Sequence, residues 1–389
     1  MKPSRIQSID ALRGLVMIVM ALDHIRDFFH YDAFVHNPLD LLNSPADLFL
    51  TRWITHFCAP TFIFLTGVSA YLYGLKHTKN ESSRFLLTRG LWLIFLEVTV
   101  IAFGWFFSWR FDNLTLMVIW AIGISMVFLS LMSRLPYMVI LITGLAIVFL
   151  HNFTDNIHFT DGSITNDIWM ILHVQGEIRF TEHFGAFIFY PILPYLGLIC
   201  VGYAFGRLFS PETEPEKRKS SLLWIGVSCI VLFIIVRYIN IYGDPHPWEH
   251  QVAARYTVLS FINCNKYPVS LLFSLMVLGP SILFLYFFDR VPPKAPAVAH
   301  GVQNWITTIF TTIGKVPMFY YILHLYLIHT IAFLTEQPSH TSPMGLTGRF
   351  HLWTVYLIWF GVVIVLYLPC KWYGKYKSAH PEKWWLSYL

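Results

Sequence analysis

Ten apolar stretches, each near the length of a bilayer crossing, punctuate this chain and leave little choice of architecture. They lie at residues 9–29, 49–73, 86–109, 114–132, 136–150, 185–209, 222–241, 269–288, 317–334 and 352–369. A hydrocarbon core of roughly 30 Å asks for about 20 such residues per helical crossing. Composition agrees: 56% of the 389 residues are hydrophobic and only 13% are charged, where a soluble domain carries about a quarter. A surface this apolar is tolerated only against lipid or another helix. The pattern predicts an all-α, polytopic membrane bundle of about ten transmembrane helices, forming one domain over residues 1–389. Residues 301–314 are amphipathic and threonine-rich; they read as an interfacial helix leading into the ninth crossing, with a short eleventh crossing as the alternative.

Loop charge orients such a bundle, because cations stay on the cytoplasmic side. Lys76, Lys79, Arg84, Arg89, Arg134, Arg207, Lys217, Arg218, Lys219, Arg290, Lys294, Lys371, Lys375 and Lys377 fall on the side of the N-terminus. The opposite loops hold few cations, and two of them, 151–184 and 242–266, are long for plain connectors. Both termini are therefore expected in the cytoplasm. The net charge of +5 is spread over short loops, which argues against a nucleic-acid partner, since that needs a clustered basic face. Five scattered cysteines predict neither a disulfide framework nor a zinc site. Lys2 and Arg5 ahead of an apolar run mimic a secretory signal, but Asp23, His24 and Asp27 interrupt that run, so the first helix is expected to be retained.

That first helix carries the chemistry. Arg13 and His24 are eleven residues apart, about three turns plus roughly 20°, so they share a face with about 16 Å between them. Asp10 lies one turn before Arg13 and Asp27 one turn after His24, both near the same face, while Asp23 is turned aside. Ionisable groups inside a membrane face a bundle interior or a wet cavity. Arg13 reads either as a snorkelling anchor paired with Asp10 or as a phosphate-binding group. His24 reads either as a satisfied core histidine or as a base oriented by Asp27, with Asp23 the other possible partner.

Arg13, ten intervening residues and His24 resemble the Arg-x10-His signature of integral-membrane acyltransferases that acetylate sugars across a bilayer. Asp10-Ala11-Leu12-Arg13-Gly14 is similar to the opening of those enzymes and of the heparan-α-glucosaminide N-acetyltransferase family, whose bacterial members it resembles further. Those matches are His56-Phe57-Cys58-Ala59-Pro60 with Phe64-Leu65-Thr66-Gly67, Tyr190-Pro191 through Pro194-Tyr195-Leu196-Gly197 to Gly202-Tyr203, and Val316-Pro317-Met318-Phe319-Tyr320 with Ile322-Leu323-His324. The resemblance implies that acetyl-CoA, as co-substrate, enters from the cytoplasm of a bacterial inner membrane. Its acetyl group would pass to a sugar or glycoconjugate reached from the other side. No metal is expected, and the oligomeric state stays open between monomer and homodimer. In the heparan enzyme the position matching His24 looks like an asparagine, and the proposed catalytic histidine falls in the following outer loop. That loop histidine resembles His36 with one residue inserted, and His56 stands where the heparan enzyme looks to have an aspartate.

Acyl transfer needs a base for the acceptor's proton and a donor for the developing oxyanion. His24 with Asp27 or Asp23, and His36 among Asp32 and Asp40, each meet the first need; either histidine could instead carry the acetyl group transiently. Arg13, Asp10 and His324 are expected towards the cofactor and His56 towards the acceptor. His324 and His329, five apart, fall on different faces and cannot share a metal as an i, i+4 pair would. Glu97 reads as protonated or structurally paired, Arg237 as snorkelling at a helix end, and Trp105, Trp109, Trp384 and Trp385 as interface belt. The alternative function is a proton-coupled secondary transporter using the same Asp and His groups, although the paired halves common in transporters are missing from the sequence. A haem or quinone protein is a third reading, suggested by 17 histidines.

Overall fold

A computed structural model of the chain describes residues 6–40, 44–108, 113–289, 300–338, 346–383 and 385–386. In chain order its early helices are α1 (Gln7–Phe29), α2 (Ala46–Thr55), α3 (Cys58–Gly74), α4 (Lys79–Leu96) and α5 (Ala102–Phe106). Strand β1 (Asn113–Leu116) precedes α6 (Val118–Met132), α7 (Tyr137–Leu150) and α8 (Ile164–Leu172). Strands β2 (Gly176–Thr181) and β3 (Phe184–Ile188) lead into α9 (Leu193–Phe205), α10 (Pro215–Ile239), α11 (Ala254–Ile262) and α12 (Leu271–Phe288). Then come α13 (His300–Gly314), α14 (Pro317–Thr335), the short strands β4 (Gln337–Pro338) and β5 (Leu346–Thr347), and α15 (Leu352–Ala379).

Each of the ten apolar runs contains a helix, and the protein is a polytopic helical membrane protein. Among the described residues, seven helical segments are long and apolar enough to cross a membrane: Ala46–Gly74, Lys79–Phe106, Tyr137–Thr154, Pro215–Ile239, Leu271–Phe288, Pro317–Thr335 and Leu352–Ala379. Val118–Met132 and Leu193–Phe209 are apolar but shorter. The opening helix α1 has the length, at 23 residues, but carries Asp10, Arg13, Asp23, Arg26 and Asp27. Lys2, Arg5, Trp109, Arg290, Lys294 and Trp384 lie outside the described residues.

The chain forms two compact units. The first comprises Met1–Cys58, Phe103–Phe107 and Phe284–Leu389, with α1 at its centre, packed by α2, α13, α14 and α15. Of the 23 residues of α1, 17 are buried. The close approach of α13 has a simple cause. A Cβ on Gly14 would sit 1.8 Å from the carbonyl oxygen of Phe310, and one on Gly314 would sit 1.9 Å from that of Asp10. Two helix backbones can touch like this only where both lack side chains, which gives the glycine of Asp10-Ala11-Leu12-Arg13-Gly14 a packing role.

The second unit comprises Ala59–Ala102 and Ser108–Leu283, where α4 packs on α6 and α7 on α9. A crossing of the same kind joins α3 to α9: a Cβ on Gly67 would meet the Ile199 oxygen at 2.1 Å, and one on Gly202 the Phe64 oxygen at 2.1 Å. Glu97 opens a π-helical turn, Glu97–Ile101. Its buried carboxylate accepts from the backbone amides of Met117 and Trp120 at 3.3 and 3.0 Å, so it caps the positive end of α6. The structural pairing expected for it is what the fold uses.

The segments between the helices hold more structure than the sequence suggests. A three-stranded sheet, ordered β1-β3-β2, pairs β1 with β3 in parallel and β2 with β3 antiparallel. Residues 114–116 and 185–188, read as the first turns of crossings, are its strands, because a short unbroken apolar run suits a buried strand as well as a helix. Ile178, Ala186 and Ile188 pack with Leu116 and with Met170 of α8.

Arg237 corrects another expectation. It lies at the end of α10 but does not snorkel: it is only 1% exposed. Its guanidinium donates to the carbonyl oxygens of Phe261, His246, Ser260 and Asn263, fastening the 242–266 segment. Asp244, 3.9 Å away, accepts from Ser270 Oγ and from the amides of Asn265 and His246. Burial raises the carboxyl pKa of Asp244 above its ordinary value, against the opposing pull of those hydrogen bonds and of Arg237.

Candidate functional site

The stripe on α1 acquires partners that no local spacing announces. His24 is half-buried, and its Nδ1 lies 2.8 Å from Nε2 of His324 on α14, 300 positions further along the chain. The His324 ring is 0% exposed, and its Nδ1 lies 3.1 Å from the backbone oxygen of Tyr320. These contacts set the protons. A carbonyl only accepts, so His324 Nδ1 carries a hydrogen and donates it to Tyr320. A charged imidazolium so deep is costly, so the neutral ring presents Nε2 as an acceptor. His24 Nδ1 must then donate, and in the neutral ring the lone pair of His24 resides on Nε2, the nitrogen turned away from His324. The chain of bonds from Tyr320 through His324 to His24 thus selects the basic tautomer.

Aromatic rings hold the pair in place. The imidazoles of His24 and His324 stack with centroids 5.0 Å apart, and the Tyr320 ring stacks on His324 at 5.5 Å. Trp105 of α5 meets His24 edge-on at 4.7 Å and stacks on Phe28 at 5.8 Å. Trp105 is buried, which overturns its reading as interface belt: it is a wall of the histidine site. Trp385 is exposed. His329, on another face of α14 as its spacing requires, donates from Nδ1 to the Gly104 oxygen at 2.9 Å and fixes α5 beside this site.

The carboxylates expected to orient His24 serve a separate cluster. Asp27 is held by Arg26, and Asp23 by Arg52 of α2 and by Arg26. Two guanidinium and two carboxylate groups balance there and tie α1 to α2. The residue in contact with His24 Nδ1 is His324, which the sequence had directed towards the cofactor. Its signal was present but incomplete: a histidine on an apolar helix, with no indication of which helix it faces. Arg26 passed unnoticed because an Arg–Asp pair on one helix looks like an ordinary i, i+3 bridge, and Arg52 because its partner lies on a different helix.

Other predicted residues are distributed as follows. Arg13 pairs with Asp10 at 3.1 Å and also donates to the Gly314 oxygen at 3.3 Å, so it closes the α1–α13 crossing. His36 stands exposed beyond α1, its Nδ1 2.6 Å from an Asp32 carboxylate oxygen. His56, just past α2, is fully buried. His30, the residue capping α1, accepts the Asp32 amide on Nδ1 at 3.2 Å. Burial keeps its pKa below the ordinary histidine value.

The family described as heparan-alpha-glucosaminide N-acetyltransferase, catalytic, matches residues 5–238, more than half of the chain. The chain belongs to that family. Membership makes this protein an acetyltransferase. No curated protein matches it. The matched stretch contains Arg13, His24, His36 and His56 but stops short of α14; His324 comes to the site through the fold alone.

Proposed function

We propose that this protein transfers an acetyl group from acetyl-CoA to an amino or hydroxyl group of a sugar or glycoconjugate, with Nε2 of His24 as the general base. The observation that carries the proposal is the 2.8 Å bond from His24 Nδ1 to His324, whose consequence is an imidazole with its lone pair directed away from its support. In the step, Nε2 takes the proton of the acceptor N–H or O–H as that atom attacks the thioester carbonyl carbon. The resulting oxyanion collapses, the C–S bond breaks, and the proton held on His24 passes to the departing thiolate. Trp105 and Tyr321 meet the imidazole edge-on, with Phe28 stacked behind Trp105, apolar surroundings in which charge interactions are stronger than in water. Asp27 and Asp23 act at one remove, by holding the segment of α1 that bears His24. Arg13 and Asp10 stand about three and four turns away along α1, on the side proposed for the donor's phosphates.

The orientation follows the loop cations. Both termini face the cytoplasm of a bacterial inner membrane, the donor enters there, and the acceptor is met from the other side, alone or in a homodimer. His36, bonded to Asp32 at the outer end of α1, is the competing base, and His56 is assigned to the acceptor. The test is a thiol-release assay on the purified protein with acetyl-CoA and a panel of amino and hydroxyl sugars. CoA is expected only when a suitable acceptor is present. Release that ignores every acceptor, or no binding of acetyl-CoA at all, would overturn the reading and favour proton-coupled transport.

A further inference from the structure

A pocket lies wholly within the second unit, remote in sequence from the histidine pair. Its volume is about 250 Å³, and Gly74, His77, Lys79, Ser82, Tyr137 and Tyr203 are among its walls. That is below the roughly 300–1,000 Å³ typical of sites that enclose a whole drug-sized ligand. It suits one small head group.

Three features give the pocket a chemical preference. Two helices begin at it: α4, whose first turn is satisfied by its own capping box, and α7, whose N-cap is Pro136 and whose first turn no side chain caps. Helix N-termini carry partial positive charge and attract anions. The second feature is Ser82, whose Oγ has no hydrogen-bond partner among the described residues although the residue is only 6% exposed. A Cβ placed on Gly74 would lie 3.6 Å from that oxygen and 3.9 Å from the Tyr203 hydroxyl, so both hydroxyls turn towards the space beside Gly74. Burying an unsatisfied hydroxyl is costly, and a ligand oxygen would remove the cost.

The third feature is cationic. Lys79 lines the pocket and donates to the Arg134 carbonyl at 3.2 Å. Arg134 bonds Ser83, and the Arg207 guanidinium lies 5.1 Å over the Tyr137 ring. The acid closest in sequence, Glu81, is turned back onto the Thr78 amide and hydroxyl as the capping box of α4. An anion with several acceptor oxygens matches this setting.

We infer that the pocket between the starts of α4 and α7 binds a phosphoryl group, as a phosphate monoester or diester. Two sources share that chemistry, an anionic phospholipid head group and a soluble nucleotide. The inference does not depend on which histidine performs acetyl transfer, and its test reads binding alone.

The experiment uses the full chain. In one arm adenosine 3′,5′-bisphosphate is titrated against protein in phosphatidylcholine nanodiscs. In the other, retention of phosphatidylglycerol is measured by native mass spectrometry against phosphatidylcholine. Wild-type protein is expected to bind at least one probe, in competition with inorganic phosphate. Lys79→Gln and Gly74→Leu, which remove the charge and fill the space, should each weaken that binding about tenfold or more, as loss of a charge-assisted contact does. Lys217→Gln, an exposed cation of α10 outside the pocket, should change nothing. If Gly74→Leu fails to fold, the exposed Lys79 substitution decides. Binding of only the bisphosphate identifies the nucleotide, and binding of only phosphatidylglycerol identifies the lipid. Absence of both, or binding that Lys79→Gln leaves intact, overturns the inference.

Discussion

His24 and Arg237 are both ionisable residues sunk in apolar helices, one in each unit of the molecule, and the fold treats them in opposite ways. Arg237 has four backbone carbonyls and a nearby carboxylate arranged around one guanidinium. Such a group is a fastener, since its hydrogen-bonding capacity goes into holding a loop. His24 is gripped at Nδ1 by a second histidine that is itself anchored to a carbonyl. That arrangement fixes a proton on one side of a ring and a lone pair on the other. Burial alone does not separate a structural ion such as Arg237 from the base proposed at His24; the direction of the bonds does.

The comparison breaks most visibly if the two residues are exchanged for inert ones. His24→Ala is expected to lower turnover by about 10²- to 10⁴-fold, the usual contribution of a positioned base, while the melting temperature and acetyl-CoA binding stay near wild type. Arg237→Met should do the reverse. Leaving Asp244 and four carbonyls without their partner is expected to cost about 3–5 kcal/mol, as when one member of a buried ion pair is removed. Thermal unfolding would register it, and the activity of the surviving folded protein would be little changed.

A smaller effect sharpens the contrast. His324→Phe retains an aromatic ring but removes the acceptor for His24 Nδ1, so the basic tautomer is no longer selected. Turnover should fall about tenfold or more, as when a group that sets a base's tautomer is lost, and its pH profile should shift while acetyl-CoA affinity is kept. An unchanged pH profile would make His324 a packing residue, like Arg237 in kind.

The smallest expected effect concerns His30, buried but outside the helix. Its pKa is held below the ordinary 6.5, chiefly by burial. As pH falls through 6.5 the unfolded chain takes up a proton before the folded one does, so protonation favours unfolding. Its stabilising contribution is complete above that pH and declines below it, towards the lowered folded value. His30→Gln should flatten this part of the stability curve, measured by denaturant titration between pH 7 and the acid limit of solubility.

Much of this was legible in the sequence. Ten hydrophobic runs became helices because backbone groups in hydrocarbon must satisfy one another locally. The spacing of Arg13 and His24 placed them on one stripe because helical periodicity is a local property. The partner of His24 was not legible, because nothing local relates α1 to a residue 300 positions away. The sheet was missed at 114–116 and 185–188 because apolar strands and helix starts share a composition. Trp105 was misread because an aromatic near a span's end suits a lipid interface and a site wall equally well. Arg237 was misread because its carbonyl partners belong to a loop whose course the sequence does not disclose.

The most direct test of the central claim sets two histidines side by side. CoA release is measured at saturating acetyl-CoA, with an acceptor that the wild type uses, for His24→Ala and His36→Ala in the same bilayer. The account predicts that the first variant binds acetyl-CoA and fails to turn over, while the second keeps most of its rate. Full activity in His24→Ala, with loss in His36→Ala, would contradict it and move the chemistry beyond the C-terminal end of α1.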